Sequence, residues 1–111
     1  MLRFTVADGS EVHFHQTAQE ILAILAGRPG YVRGQVGQAY DDPQLWCLLT
    51  EWESVGAYRR ALGGYDVKVK LTPFLAQAHD EPTAFEPLAV AEPGGAVTVT
   101  SSDRGPIRSR P

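Results

Sequence analysis

Three histidines, two tryptophans and four tyrosines are the side chains of this sequence best suited to chemistry. Imidazole ordinarily exchanges protons near neutral pH, so each histidine is a candidate base. His13 and His15 fall near the start of one predicted helix and His79 near the end of another. On the first helix His15 projects close to an apolar stripe on its Leu22 side, whereas His13 points towards the polar side. His15 is therefore the first choice of base and His79 the second, beside the plainer reading of both as helix-end surface residues. His13-x-His15 would fit a metal on a strand, but on a helix the two rings diverge, and no His-x-x-x-His spacing occurs. Trp46 and Trp52 share one face of an alternating run, so they line a pocket together or fill a core together. Each offers a flat ring and an indole N–H. Tyr58 sits half-buried on a second predicted helix and can donate to a carbonyl, as can Tyr31, Tyr40 and Tyr65. Arg59, Arg60, Lys68 and Lys70 form a local positive cluster that suits either an anion or a solvated helix surface. Cys47, in mid-strand without a basic neighbour, reads as a small hydrophobe.

The elements that must position these groups follow from periodicity. Leu45 to Glu53 alternates Trp46, Leu48, Thr50 and Trp52 on one face with Leu45, Cys47, Leu49 and Glu51 on the other. A strand apolar on both faces belongs inside a sheet, covered on both sides. The Asp41-Asp42-Pro43 turn joins it to a strand at Tyr31–Tyr40, where Gly34 and Gly37 mark a bulge or a close approach of another group. Leu2 to Val6 alternates as a first strand, closed by Ala7-Asp8-Gly9. Ser10 then caps a helix whose Phe14, Ala18, Ile21, Leu22 and Leu25 recur at helical spacing, ending at Gly27 and Pro29-Gly30. Ser54 launches a second helix, with Val55, Tyr58 and Leu62 as a narrow apolar face and Gly63-Gly64 as its stop. Asp66 to His79 reads as a third helix carrying Val67, Leu71, Phe74 and Leu75, with Pro73 kinking it or restarting it. A fourth strand is expected within Thr83–Val90. Residues 1–91 then form one domain, and 92–111 a polar, flexible C-terminal tail in which Val97 and Val99 could add only a short edge strand.

Composition excludes several classes of function. The chain has 111 residues, 43% hydrophobic and 21% charged, as expected of one globular domain with a modest core. A formal net charge of −3 provides no general attraction to nucleic acid or anionic membrane. No apolar run approaches the roughly 20 residues that span a bilayer. A single cysteine excludes an internal disulfide and a multi-thiolate zinc site, and suits a cytoplasmic protein.

The order strand, helix, strand, strand, helices, strand is a ferredoxin-like split β-α-β pattern, an α+β fold with a four-stranded antiparallel sheet. Within it, Pro29-Gly30, Asp42-Pro43, Glu51-Trp52 and Ser54 stand in the order and spacing that resemble the antibiotic biosynthesis monooxygenase family. The likeness runs from Leu2 to Leu88 in element order and is specific between Pro29 and Leu62. It implies a homodimer, a dimeric α+β barrel in which two sheets pack face to face. It also implies a small-molecule aromatic substrate, a polyketide-like phenol or quinol, oxidised by dioxygen without a cofactor. The side chains themselves, and not the resemblance, put forward His15, His79 and Tyr58 as catalytic groups and Trp52, Trp46, Phe14, Leu22 and Phe74 around the substrate. A polyketide cyclase of the same fold, and a non-catalytic dimeric binding or assembly protein, are the alternatives. The sequence departs from the family in having no asparagine, and in placing Gly63-Gly64-Tyr65 where a tryptophan is expected. Those departures disfavour the haem-degrading branch.

Overall fold

The computed structural model describes residues 1–102. Its central strand is the two-faced stretch that the sequence singles out. β1 (Leu2–Thr5) and β2 (Tyr31–Gln38) both pair antiparallel with β3 (Leu45–Trp52), giving the order β1-β3-β2. One face of this sheet is covered by α1 (Glu11–Ala26), α2 (Val55–Leu62) and α3 (Tyr65–Leu75). Leu2, Phe4, Val6, Trp46 and Leu48 point into that layer and are buried with Phe14, Ala18, Ile21, Leu25, Val67, Leu71 and Phe74. Phe4 sits at the middle, its ring centroid 5.1 Å from that of Phe14 and 4.6 Å from that of Phe74. Burying one such side chain stabilises the fold by roughly 1.5–3 kcal/mol, so this aromatic cluster clamps both long helices to β1.

Both tryptophans face the helices, so neither belongs to the opposite face of the sheet. That opposite face carries Leu45, Cys47 and Leu49, half-buried by their strand neighbours, between the ion pairs Arg33–Glu51 and Arg3–Glu81. Nothing among the described residues lies over it as a second layer.

Local chemistry explains the helix ends. Ser54 accepts from the Ala57 N–H at 3.0 Å and starts α2 as expected. Ser10 precedes α1 without a side-chain cap hydrogen bond, and the Glu11 carboxylate accepts instead from the Gly9 N–H of the preceding turn at 2.9 Å. α2 buries Ala57 and Ala61 fully and half-buries the expected Val55, Tyr58 and Leu62 face, with Leu62 against the core and Tyr58 against Trp52. At Ala57 the reason is proximity: α2 sits down on the Pro29-Gly30 turn, where only a methyl group fits. The glycines of β2 behave as anticipated, with a register irregularity between Tyr31 and Arg33. A Cβ on Gly34 would lie 2.7 Å from Leu22 Cδ1, so α1 approaches the strand there more closely than any side chain permits.

The fourth strand departs from expectation. Among the described residues the main sheet has three strands, and the place beside β1 is taken by the irregular stretch 78–83, ahead of the predicted Thr83–Val90. Phe4 and Ala78 form one bridge, and the His79 N–H donates to the Arg3 carbonyl at 2.8 Å. Pro82 then removes a backbone donor, so no ladder develops. α3 continues through Pro73 and ends at Leu75, which leaves His79 beyond the helix and not at its end. The boundary expected at residue 91 falls inside a hairpin of β4 (Ala89–Val90) and β5 (Thr98–Val99). The rest of the expected tail, 103–111, lies outside the described residues. No helix among the described residues is long and apolar enough to cross a membrane.

Side chains hold the 78–83 stretch in place. Arg3 donates to Glu81 through Nε at 2.7 Å and through a terminal nitrogen at 2.6 Å. These hydrogen bonds hold the Glu81 carboxyl below the usual carboxylate range, against a smaller opposing effect of burial. A depressed native pKa contributes stability that is fully present above the ordinary value of 4.5 and is lost as the pH falls through the native one. Thermal melts should therefore show Glu81→Gln less stable than the parent near pH 7, with the gap closing below about pH 4.5. An unchanged gap at acid pH would mean that the pair contributes through packing alone.

Candidate functional site

α1 and α3 diverge from β1 where β1 ends, and a cleft of about 340 Å³ opens between them. That volume lies in the range of small-molecule sites, roughly 300–1,000 Å³. Its floor is the buried trio Phe4, Phe14 and Phe74, with the Phe14 and Phe74 rings near parallel at 5.5 Å and 21°. Its rim carries polar groups: Ser10 just ahead of α1, His13 and Thr17 on α1, Thr5 from β1 and Gln77 from beyond α3. A floor of ring faces under a rim of hydroxyl, imidazole and amide groups suits a flat aromatic molecule carrying oxygen substituents on one edge.

The second space lies at the other end of the sheet, beneath α2 and α3. Leu2, Leu25, Leu48, Thr50, Tyr58, Leu62, Leu71 and Leu75 surround about 10 Å³, room for one water molecule.

The residues expected to act together are divided between these ends. Trp46 and Trp52 are six positions apart on β3, roughly 20 Å along the strand. Trp46 stands behind the cleft, its ring 5.4 Å from Phe14. Its indole N–H is committed to the Pro43 carbonyl at 3.1 Å, and that of Trp52 to Thr50 Oγ1 at 2.8 Å, so both act as surfaces and not as donors. Trp52 packs with Tyr31 and Tyr58 at the far end, with centroids 5.4 and 5.9 Å away. Leu22 lies against Gly34 and borders neither space. Of the expected substrate-binding residues, Phe14 and Phe74 are the two that line the cleft.

The histidines separate as clearly. His15 and His13 are both exposed; the His15 ring lies 5.7 Å from that of Trp46 and does not border the cleft. The His79 Nε2 shares a 2.8 Å hydrogen bond with the Thr5 hydroxyl, and its Nδ1 lies 4.0 Å from Glu81. The histidine that borders the cleft is His13, which helical-wheel reasoning places on the polar side. Ser10, His13 and Thr17 at i, i+3 and i+7 form a polar stripe parallel to the apolar one, and that stripe is the signal that marks the cleft. No group of three or more metal-ligating side chains occurs among the described residues.

Three helices on one face of an antiparallel sheet, entered in the order β-α-β-β-α, define a ferredoxin-like α+β domain. Residues 1–68 match the family described as antibiotic biosynthesis monooxygenase, and the chain belongs to that family. Among solved structures it is similar to SnoaB, a cofactor-independent oxygenase from Streptomyces nogalater. The two are 28% identical with a TM-score of 0.62, over 78% of this chain and 91% of that one. A conserved protein from Methanosarcina mazei Go1 shares the fold at 18% identity and a TM-score of 0.61, over 75% and 81% of the respective chains. The 42.8 kDa protein in the whiE locus of Streptomyces coelicolor is 33% identical over 58 residues, 52% of this chain. This chain spans 15% of that relative's length.

Proposed function

We propose that this protein is a cofactor-independent monooxygenase of an aromatic, polyketide-like phenol or quinol, bound in the cleft between α1, β1 and α3. The observation that carries this reading is the 340 Å³ space floored by Phe4, Phe14 and Phe74 with His13 on its rim. Family membership and the likeness to SnoaB support the class of reaction. The substrate ring covers the phenylalanine faces and so keeps water from them. His13 accepts the phenolic proton and the electron-rich anion passes one electron to dioxygen; the two radicals join through a new C–O bond as a hydroperoxide, whose O–O bond breaks to leave the quinone oxygen and release the other atom as water. Thr17, Ser10 and Gln77 offer hydrogen bonds to the substrate oxygens, which hold the charge as it develops. The uncovered Leu45, Cys47 and Leu49 face supports a homodimer, and the lone cysteine supports residence in the cytoplasm.

The test is oxygen consumption with an anthrone or a hydroxynaphthoquinol, followed by identification of the product. The reading expects uptake of oxygen and formation of the quinone. Turnover of a polyketide chain without oxygen uptake would replace it with a cyclase.

A further inference from the structure

Two features of the sequence play no part in the cleft, the Gly63-Gly64-Tyr65 run and the cations around it. Arg28 connects them. It follows α1, where its N–H donates to the Leu25 carbonyl at 3.0 Å and its carbonyl accepts from the Tyr31 N–H at 3.3 Å. The backbone is thus held on both sides. Its half-buried side chain crosses to the start of α3 and lies against Gly64, where an added Cβ would stand 3.1 Å from Nη2 and 3.6 Å from Nη1. Glycine at 64 leaves room for the guanidinium. Arg28 Nε is fully buried and has no hydrogen-bond partner, the one such side-chain atom among the described residues. Nor does the guanidinium form an ion pair with any described carboxylate. Folded proteins rarely hold an arginine inside without a partner for its charge, so the vacancy calls for an explanation.

Its surroundings are positive as well. The Lys68 N–H donates to the Gly64 carbonyl at 2.8 Å, so Lys68 lies one turn along the same face of α3, with its stem leaning back towards the helix start. Lys68 is exposed and forms no ion pair with a described residue. Arg60 does not join them, because its guanidinium turns back over Gly56 at the start of α2. Asp66, in the first turn of α3, is exposed and pairs with neither cation. Gly64 is the cap of α3, and no side chain accepts from the first N–H groups of that helix. We propose that Arg28, Lys68 and the first turn of α3 bind a phosphate group where the end of α1 meets the start of α3. The guanidinium presents paired N–H donors to two phosphate oxygens, Lys68 adds a point charge, and the α3 amides face a third oxygen. Two cations and a helix start match the nearly double charge of a phosphate better than the single charge of a carboxylate. The cleft lies at the other end of α3, beside Phe74 and Gln77, so this site is separate from it and independent of the reaction proposed there.

Titration of the full chain with inorganic phosphate at constant ionic strength, followed by amide chemical shifts, tests the site. The Tyr65, Asp66 and Val67 amides should shift saturably in the millimolar range, while those around the cleft stay in place. Arg28→Gln should weaken binding roughly 10-fold or more, as the loss of charge-assisted hydrogen bonds does, and Lys68→Gln should weaken it several-fold. Should Arg28→Gln fail to fold, Arg28→Lys takes its place; it keeps the charge, loses the paired donors and should still bind more weakly. Lys70→Gln, an exposed control two positions beyond Lys68, should bind like the parent. An equal loss there would reduce the effect to general surface charge and overturn the site. Shifts that never saturate, or that persist unchanged in the Arg28 and Lys68 variants, would overturn it too. Acetate should move the same amides little, and an equal response would replace phosphate with carboxylate. Phenyl phosphate binding more tightly than the free ion would support an esterified phosphate as the ligand, and weaker binding would support the free ion.

Discussion

Replacing His13 with alanine is expected to lower kcat for quinol-dependent oxygen consumption by roughly 100- to 10,000-fold, the usual contribution of a positioned general base. KM should change far less, because the phenylalanine floor that binds the ring is untouched. The comparison that gives the result meaning is among the three histidines. His15 lies outside the aromatic cluster and His79 is engaged by Thr5, so alanine at either should leave kcat within a few-fold of the parent. Steady-state oxygen-electrode kinetics on all three variants decides the matter. A large loss at His15 or Tyr58 with none at His13 would move the chemistry away from the cleft and towards the far end of the sheet.

Gly30→Ala should produce the largest loss of stability among single methyl additions. Gly30 has φ +87°, a region that costs an L-residue roughly 1–2 kcal/mol. The added Cβ would also stand 2.5 Å from the Cβ of Ala57, held on α2 with no flexible side chain to yield. Relieving that overlap requires α2 to lift from the turn, a strain of the kind that costs 1–3 kcal/mol. The sum is about 3 kcal/mol or more, a fall in Tm of more than about 10 °C for a domain of this size. Gly9→Ala is the internal control, since Gly9 has φ +88° with nothing within 4 Å of the added carbon. Differential scanning calorimetry should show Gly9→Ala losing only the backbone component. Equal losses at the two positions would mean that α2 accommodates the methyl group freely. The physical content of the Pro29-Gly30 motif is this contact: it lets the second helix sit on the turn that feeds β2.

What the sequence made legible, and what it did not, divides along local and non-local physics. Alternation in Leu45–Trp52 announced a strand with two apolar faces, and β3 is the central strand of the sheet. Ser54 announced its cap, and the glycines of β2 announced the close approach of Leu22. These signals are carried by a few neighbouring residues. The fourth strand was misplaced because alternation in 83–90 says nothing about which edge is within reach, and Pro82 acts on a pairing made 78 residues away by Arg3 and Glu81. The burial of Ala57 and Ala61 was hidden because small residues give a weak hydrophobic signal, although they permit the closest packing. The tryptophan N–H groups looked available because their acceptors, the Pro43 carbonyl and the Thr50 hydroxyl, become reachable only once β3 and its turn are built. His13 is placed on the polar side by its spacing and is exposed there, but its position beside the cleft is hidden for a similar reason. A helical wheel separates polar from apolar faces, but it does not show that β1 and α3 both end beside the first turns of α1 and leave a cleft there.

The account stands or falls on where an aromatic ligand sits. Crystals soaked with a hydroxyanthraquinone, a product-like ring that cannot be oxidised further in the same way, provide the most direct measurement. The ring should lie over Phe14 and Phe74 with one oxygen about 2.6–3.2 Å from a nitrogen of His13. A ring seated instead beneath α2, against Tyr58 and Thr50, would contradict it.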